Sequence, residues 1–153
     1  MIIGVVMIMV VGATVRLAQE QGESSGNGDT QKESVYEETA AGELSEGMVG
    51  LTAANYDEIV TNSTGVVVVD FFAPSCSYCV KYTPIFAQVF EEYKEKAVFG
   101  KFDVTKDSSK IADLEIGGTP ETIIFKDGEV ANRVSGYVEA DRLRAEIDKV
   151  LAE

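Results

Sequence analysis

VVVVDFFAPSCSYC, running from Val66 to Cys79, decides the fold of this chain. Its first half, Val66 to Phe72, is too rich in β-branched residues for a helix and reads as a strand. The run is apolar without alternation, so the strand is expected to be central and covered on both faces. Asp70 interrupts it. A carboxylate on a covered strand is costly unless it is paired or protonated, and packing gives no reason for it, so Asp70 is a candidate functional group. After the strand, Val80, Tyr82, Ile85, Phe86, Val89, Phe90 and Tyr93 recur at helical spacing, which predicts one helix from Ser77 to about Lys96, kinked near Pro84. Cys76 and Cys79 fall where the strand has ended and the helix begins.

Outward from this core, Thr52 is placed to cap a short helix burying Tyr56, Ile59 and Val60. A strand is expected near Ala97 to Val104, then a helix from about Ser108 to Leu114 capped by Asp107, then a strand near Thr122 to Phe125. Asp127-Gly128 is a hairpin signal leading into a strand near Glu129 to Val134. The last helix, Ala140 to Leu151, turns Leu143, Ile147, Val150 and Leu151 inward. Strand, helix and strand in succession imply a right-handed parallel crossover, and the Asp-Gly turn adds an antiparallel pair. The fold class is α/β, a mixed central sheet flanked by helices, occupying residues 48–153.

Placement gives the two cysteines their chemistry. At a helix start, unpaired N–H groups and the positive end of the dipole stabilise an anion, so the Cys76 thiol should ionise more readily than a free cysteine. Residues i and i+3 there are close enough for a disulfide. Cys76 can therefore attack a disulfide as thiolate, and Cys79, one turn deeper, can resolve the mixed disulfide. Three other readings stay open for the pair: half of an intermolecular metal site, buried inert thiols, or an ornamental disulfide.

Two further segments precede the domain. Residues 1–15 (MIIGVVMIMVVGATV) carry no charge until Arg16, and residues 1–16 read as a signal peptide or membrane anchor. As a helix the run spans about 22 Å, short of the ~30 Å hydrocarbon core, and the basic n-region of a cleaved signal is missing. Residues 17–50 hold eight acidic residues against one lysine, with six glycines and four serines, too little apolar surface to order themselves. Residues 17–47 are accordingly expected to be a flexible acidic linker, and the domain to be membrane-anchored or exported, facing outside the cytoplasm. A cytoplasmic-facing domain is the alternative, favoured by Arg16 alone.

Composition excludes other classes of function. The chain has 26 acidic and 13 basic residues in 153, a formal charge of -13, which repels phosphate backbones and argues against nucleic-acid binding. It has no histidine, so no imidazole base or ligand, and two cysteines cannot complete a four-ligand zinc site within one chain. Nor do two cysteines this close staple a scaffold.

At VDFFAPSCSYC (Val69 to Cys79) the chain resembles the thioredoxin superfamily, with Pro84 where that family's helix-kinking proline falls. Gly118-Thr119-Pro120 is similar to its cis-proline loop, and FKDGEV (Phe125 to Val130) with Gly136 downstream is similar to its closing hairpin. The resemblance runs through nearly all of residues 51–153. It implies the thioredoxin fold and a thiol-disulfide oxidoreductase working through Cys76 and Cys79 with no separate cofactor. It further implies that Asp70 lies buried beneath the disulfide and exchanges the proton of Cys79, that Lys101 is its charged neighbour, and that Pro120 faces Cys76 and helps hold substrate backbone. Ser75, Tyr78, Thr119 and Gly136 complete the implied substrate-binding set.

The sequence departs from the family's usual Trp-Cys-Gly-Pro-Cys, having Ser75-Cys76-Ser77-Tyr78-Cys79 and no tryptophan. Tyr78 and Thr119 resemble glutaredoxins and extracytoplasmic isomerases, whereas Asp70 and Lys101 resemble reducing thioredoxins. Ser77 and Tyr78 supply no cation to hold the thiolate, so an intermediate to reducing potential is expected. No glutathione carboxylate clamp is evident. The partners implied are protein disulfides and an upstream thiol reductant, such as a thioredoxin reductase or a membrane electron donor, acting on a monomer. Two competing readings are a non-catalytic thioredoxin-like binding module and a copper-handling protein using both thiolates.

Overall fold

A computed structural model describes residues 41–153 of the chain. The expected signal or anchor at 1–16 and most of the expected linker lie outside the described residues.

Five strands form one mixed sheet in the order β1-β3-β2-β4-β5: β1 (Val49–Leu51), β2 (Val66–Phe72), β3 (Ala97–Asp103), β4 (Glu121–Lys126) and β5 (Glu129–Ser135). β3 runs parallel to β1 and β2, while β4 is antiparallel to β2 and β5. All seven residues of β2 are buried, as its unbroken apolar run requires. Side-chain alternation then sorts them. Val66 and Val68 join Phe86, Val89 and Phe90 of α2 (Ser77–Tyr93) with Leu143 and Ile147 of α4 (Ala140–Leu151). Val67, Val69 and Phe71 face the other way, among Tyr56, Val60, Phe102, Ile123 and Phe125.

The expected elements are present, with differences at their edges. β1 was not anticipated; three residues are too few for a periodic signal, and pairing with Gly100 to Phe102 makes them a strand. The helix capped at Thr52 is α1 (Ala53–Tyr56), which widens over Asp57–Thr61 into π-type turns closed by Asn62 N–H to Asp57 O at 2.7 Å. α3 (Ser109–Asp113) begins one residue past the expected Ser108, and its side-chain cap is Asp107 as expected, since Ser108 makes no such bond. Asp107 Oδ1 accepts from Ser109 N–H at 2.9 Å, and its other oxygen accepts from Ala53 N–H at 3.0 Å, joining the starts of α3 and α1. The last residues of the expected linker, 41–47, fall within the described part of the chain. Ala41 is buried and Met48 lies in the core, because small and apolar side chains here find seats on the sheet and α2. Among the described residues no helix is long and apolar enough to cross a membrane.

The Asp127-Gly128 turn has positive φ at both residues (50° and 85°), the backbone that a tight hairpin between twisted strands demands. Gly65 N–H donates to Asp127 Oδ1 at 2.8 Å and Asp127 N–H to Gly65 O at 2.9 Å, pinning the turn to the start of β2. A Cβ at Gly128 would lie 2.0 Å from the Thr61 carbonyl oxygen, whereas one at Gly65 (φ 91°) would meet nothing. Gly128→Ala is therefore expected to destabilise the chain by about 2–3 kcal/mol and Gly65→Ala by about 1 kcal/mol, read from urea midpoints. Equal losses at the two positions would contradict this reading of the turn.

Candidate active site

Cys76 is the cap residue of α2, with extended backbone (φ -83°, ψ 111°) that turns the chain from the end of β2 into the helix. Its Sγ accepts the Cys79 N–H at 3.2 Å, so the sulfur itself satisfies one of the orphan donors of the first turn. Across the opening, the sulfur lies 3.4 Å from the Thr119 carbonyl oxygen, close enough for the protonated thiol to donate to it. Burial opposes ionisation of Cys76. Hydrogen bonding by the Cys79 and Thr119 side chains and by the Cys79 and Tyr78 backbone outweighs it and holds the thiol below its ordinary value.

One turn on, the environment reverses. Cys79 is wholly buried against Ala41 and Phe72, and burial, then the neighbouring Cys76, push its thiol up to about 11. Both cysteines are free thiols here. Cys76 ionises first, and Cys79 keeps its proton until something takes it.

Beneath them is the buried carboxylate. Asp70 has the parity of Val66 and Val68 on β2, so it faces α2. Lys101 has the parity of Ala97 and Phe99 on β3, and the register sets it beside Asp70. The two side chains lie 3.5 Å apart, Asp70 at 0% and Lys101 at 3% exposure. Neither Asp70 oxygen has a hydrogen-bond partner among the described residues. Burial raises the Asp70 carboxyl to about 6 against the opposing pull of Lys101, and burial likewise lowers the Lys101 ammonium against the pull of Asp70. Thr122, opposite Asp70 on β4, shares a 2.9 Å hydrogen bond with the Tyr82 hydroxyl.

The facing loop carries a cis Thr119-Pro120 peptide, as Gly118-Thr119-Pro120 led one to expect. Pro120 is buried, and its carbonyl accepts the Gly136 N–H at 2.8 Å. An open groove of about 490 Å³ runs along this loop, lined by Gly117, Gly118, Thr119, Pro120, Ser135 and Gly136 among others. Glu121 and Arg133 pair in its wall at 3.1 Å. Ser75 is exposed and Tyr78 is 60% exposed, with Lys81 Nζ 5.6 Å from its ring.

Every residue named from the sequence is thus in or beside one cluster, but three participants were missed. Thr83 is buried one turn beyond Cys79; its hydroxyl receives Lys101 Nζ at 3.0 Å and lies 3.0 Å from the Cys79 carbonyl and 3.1 Å from the Ala41 carbonyl. Its i+4 spacing from Cys79 was a legible signal. Ala41 and Tyr82 carried none: one is a small residue in a polar stretch, the other fits the apolar stripe.

Because Asp70 holds its proton more tightly folded than unfolded, its contribution to stability is full below about pH 4 and is lost as pH rises through about 6. The loss amounts to about 3 kcal/mol at most. In urea unfolding of the reduced chain between about pH 4 and about pH 7, Asp70→Asn is expected to flatten this part of the slope. An unchanged slope would show that Asp70 does not titrate in that window.

Comparison with known proteins agrees with this geometry. The family model described as Thioredoxin matches residues 47–149. The chain is 35% identical over 104 residues to a thioredoxin of Staphylococcus haemolyticus, and 34% identical over 104 residues to thioredoxins of Staphylococcus saprophyticus and Staphylococcus aureus. Each alignment covers 68% of this chain and 98% of the relative. A paired-cysteine centre at a helix mouth, a cis-proline loop opposite it and a five-stranded mixed sheet beneath it thus come with matching sequence, and the chain belongs to the thioredoxin family of thiol-disulfide oxidoreductases, which use a redox-active dithiol and no separate cofactor.

Proposed function

We propose that this protein reduces or exchanges disulfides of other proteins through a Cys76/Cys79 cycle. The observation that carries the reading is the split between the two sulfurs, with Cys76 half-exposed and held toward the thiolate and Cys79 buried and held toward the thiol. The Cys76 thiolate attacks a substrate disulfide, one substrate sulfur leaves as thiolate, and a mixed disulfide remains. Cys79 then loses its proton and attacks Cys76 Sγ. The second substrate sulfur is expelled, and two electrons have passed from the dithiol to the substrate.

Asp70 is the proposed acceptor of the Cys79 proton, being a buried base poised near neutrality on the same face of the sheet. Lys101 is proposed to keep that carboxylate affordable in the interior. The groove along Thr119, Pro120 and Gly136 is open and shallow, which suits an extended polypeptide better than a small ligand that must be enclosed. Ser75 and Tyr78 are proposed to line its other side. An upstream thiol reductant, such as a thioredoxin reductase or a membrane electron donor, would return the disulfide to the dithiol, acting on a monomer. The uncharged run at 1–15 supports an anchored or exported protein whose domain lies outside the cytoplasm; fractionation of cells expressing the full chain tests that placement.

Two outcomes are expected. Cys79→Ser should accumulate a mixed disulfide with a disulfide-bonded protein such as insulin, and Cys76→Ser should form none and lose insulin reduction. A trapped adduct on Cys79 instead would reverse the assigned roles. Since Ser77 and Tyr78 bring no cation to the thiolate, the equilibrium potential should lie nearer about -270 mV than the about -120 mV of a strong disulfide oxidant. A value at the oxidising end would make the protein a donor of disulfides.

A further inference from the structure

Lys101 has three N–H donors, and their distribution is unusual for a buried ion pair. Charge-assisted bonds to a carboxylate normally close to about 2.7–2.9 Å. Here the ammonium stands 3.5 Å from Asp70 Oδ2, while it donates to the Thr83 hydroxyl at 3.0 Å and to the main-chain carbonyl of Ala41. It has turned toward two neutral acceptors, and neither carboxylate oxygen accepts a hydrogen bond among the described residues. The rings of Phe72 and Phe86 flank it at 5.0 and 6.0 Å. Ala41 is 1% exposed and packs with Phe72 and Cys79. Gly42 lies so close that a Cβ there would come within 3.1 Å of the Phe72 ring.

We propose that residues 41–44, ahead of the first strand, form a positioning segment for the redox centre, whose Ala41 carbonyl draws the Lys101 ammonium off Asp70 and seals the pair from water. Ala41 acts through Lys101 and touches no substrate. The inference rests on the reading of Asp70 as acceptor of the Cys79 proton. Lifting the segment does two things with the same sign. It frees an N–H of Lys101 to close on Asp70, and it admits water to the carboxylate; both favour the charged form. Asp70 then becomes a weaker base for Cys79. The other groups around the pair are Cys79 and Tyr82 from α2, Thr122 from β4, and Glu43, whose charge favours the Lys101 cation from the segment itself. None of these is substituted in the variants below, and Thr83→Val leaves Glu43 in place, whereas the crowded variants carry Glu43 off with the segment, which removes a negative charge and so favours the charged form of Asp70 as well.

The test is the titration of the Asp70 carboxyl by ¹³C NMR in the reduced full-length chain. Ala41→Trp and Gly42→Val each crowd the segment off the Phe72 ring without adding charge. Each is expected to lower the Asp70 midpoint by about one pH unit. Thr83→Val preserves shape but removes the hydroxyl partner of the ammonium, and it should move the midpoint the same way by less; it carries the test if the crowded variants do not fold. A midpoint that stays in place, or rises, in the folded variants overturns the proposal. The pH profile of disulfide exchange separates this failure from that of the underlying reading. If Asp70→Asn leaves the profile unchanged, Asp70 is not the proton acceptor; if Asp70→Asn alters it while the segment variants leave the Asp70 midpoint in place, only the positioning role of residues 41–44 falls.

Discussion

One hydrogen bond, from the Cys79 N–H to the Cys76 sulfur at 3.2 Å, organises the site. It exists because β2 ends at Phe72 and α2 begins at Ser77, so the cap position falls on a cysteine. The donor is one of the amides that a helix start leaves unpaired, and a sulfur anion is a better partner for it than a neutral thiol. The same turn carries Cys79 inward to full burial, where the anion is disfavoured. Two identical side chains three residues apart thus acquire opposite acid strengths from position alone, and the sequence of events at a disulfide follows from that difference.

The sheet provides what the second sulfur needs. Strand alternation turns Asp70 toward α2, and the parallel register with β3 places Lys101 beside it. This arrangement works against stability, because a carboxylate is held in the interior at 3.5 Å from its counter-ion with no hydrogen bond of its own among the described residues. An apolar pair of similar volume would pack there without that penalty. The interior charge is intelligible as a chemical provision under the proposed role of Asp70 as a base near neutrality. Thr83 and the carbonyl of Ala41 belong to the same proposed provision, since both accept from the Lys101 ammonium.

The core of this account was legible in the sequence because it rests on patterns with short periods. Four valines followed by Asp-Phe-Phe admit no other reading than a covered strand, the stripe from Val80 to Tyr93 admits no other than a helix, and the cysteine spacing at their junction carries the chemistry. Asp127-Gly128 marked its turn because few residue pairs tolerate positive φ twice in succession. What escaped depends on partners far along the chain. Val49–Leu51 is a strand only because β3 offers it an edge, and Ala41 is ordered only because Phe72, Cys79 and Lys101 form its seat. No local signal distinguishes such an alanine from its neighbours in an acidic, glycine-rich stretch. The cap of α3 at Asp107 was legible for the opposite reason, being local, whereas the second bond of the same carboxylate, to the start of α1, was not.

The central claim is that the two sulfurs differ in acidity because of where α2 begins, and the rate of alkylation of each cysteine as a function of pH measures that difference directly. In the reduced full-length chain, with modified peptides quantified by mass spectrometry, Cys76 should be alkylated with a midpoint below that of an ordinary cysteine thiol, near 8.5, while Cys79 stays unmodified until the medium is strongly alkaline. Coincident profiles for the two sulfurs, or a Cys79 that reacts first, would contradict the account.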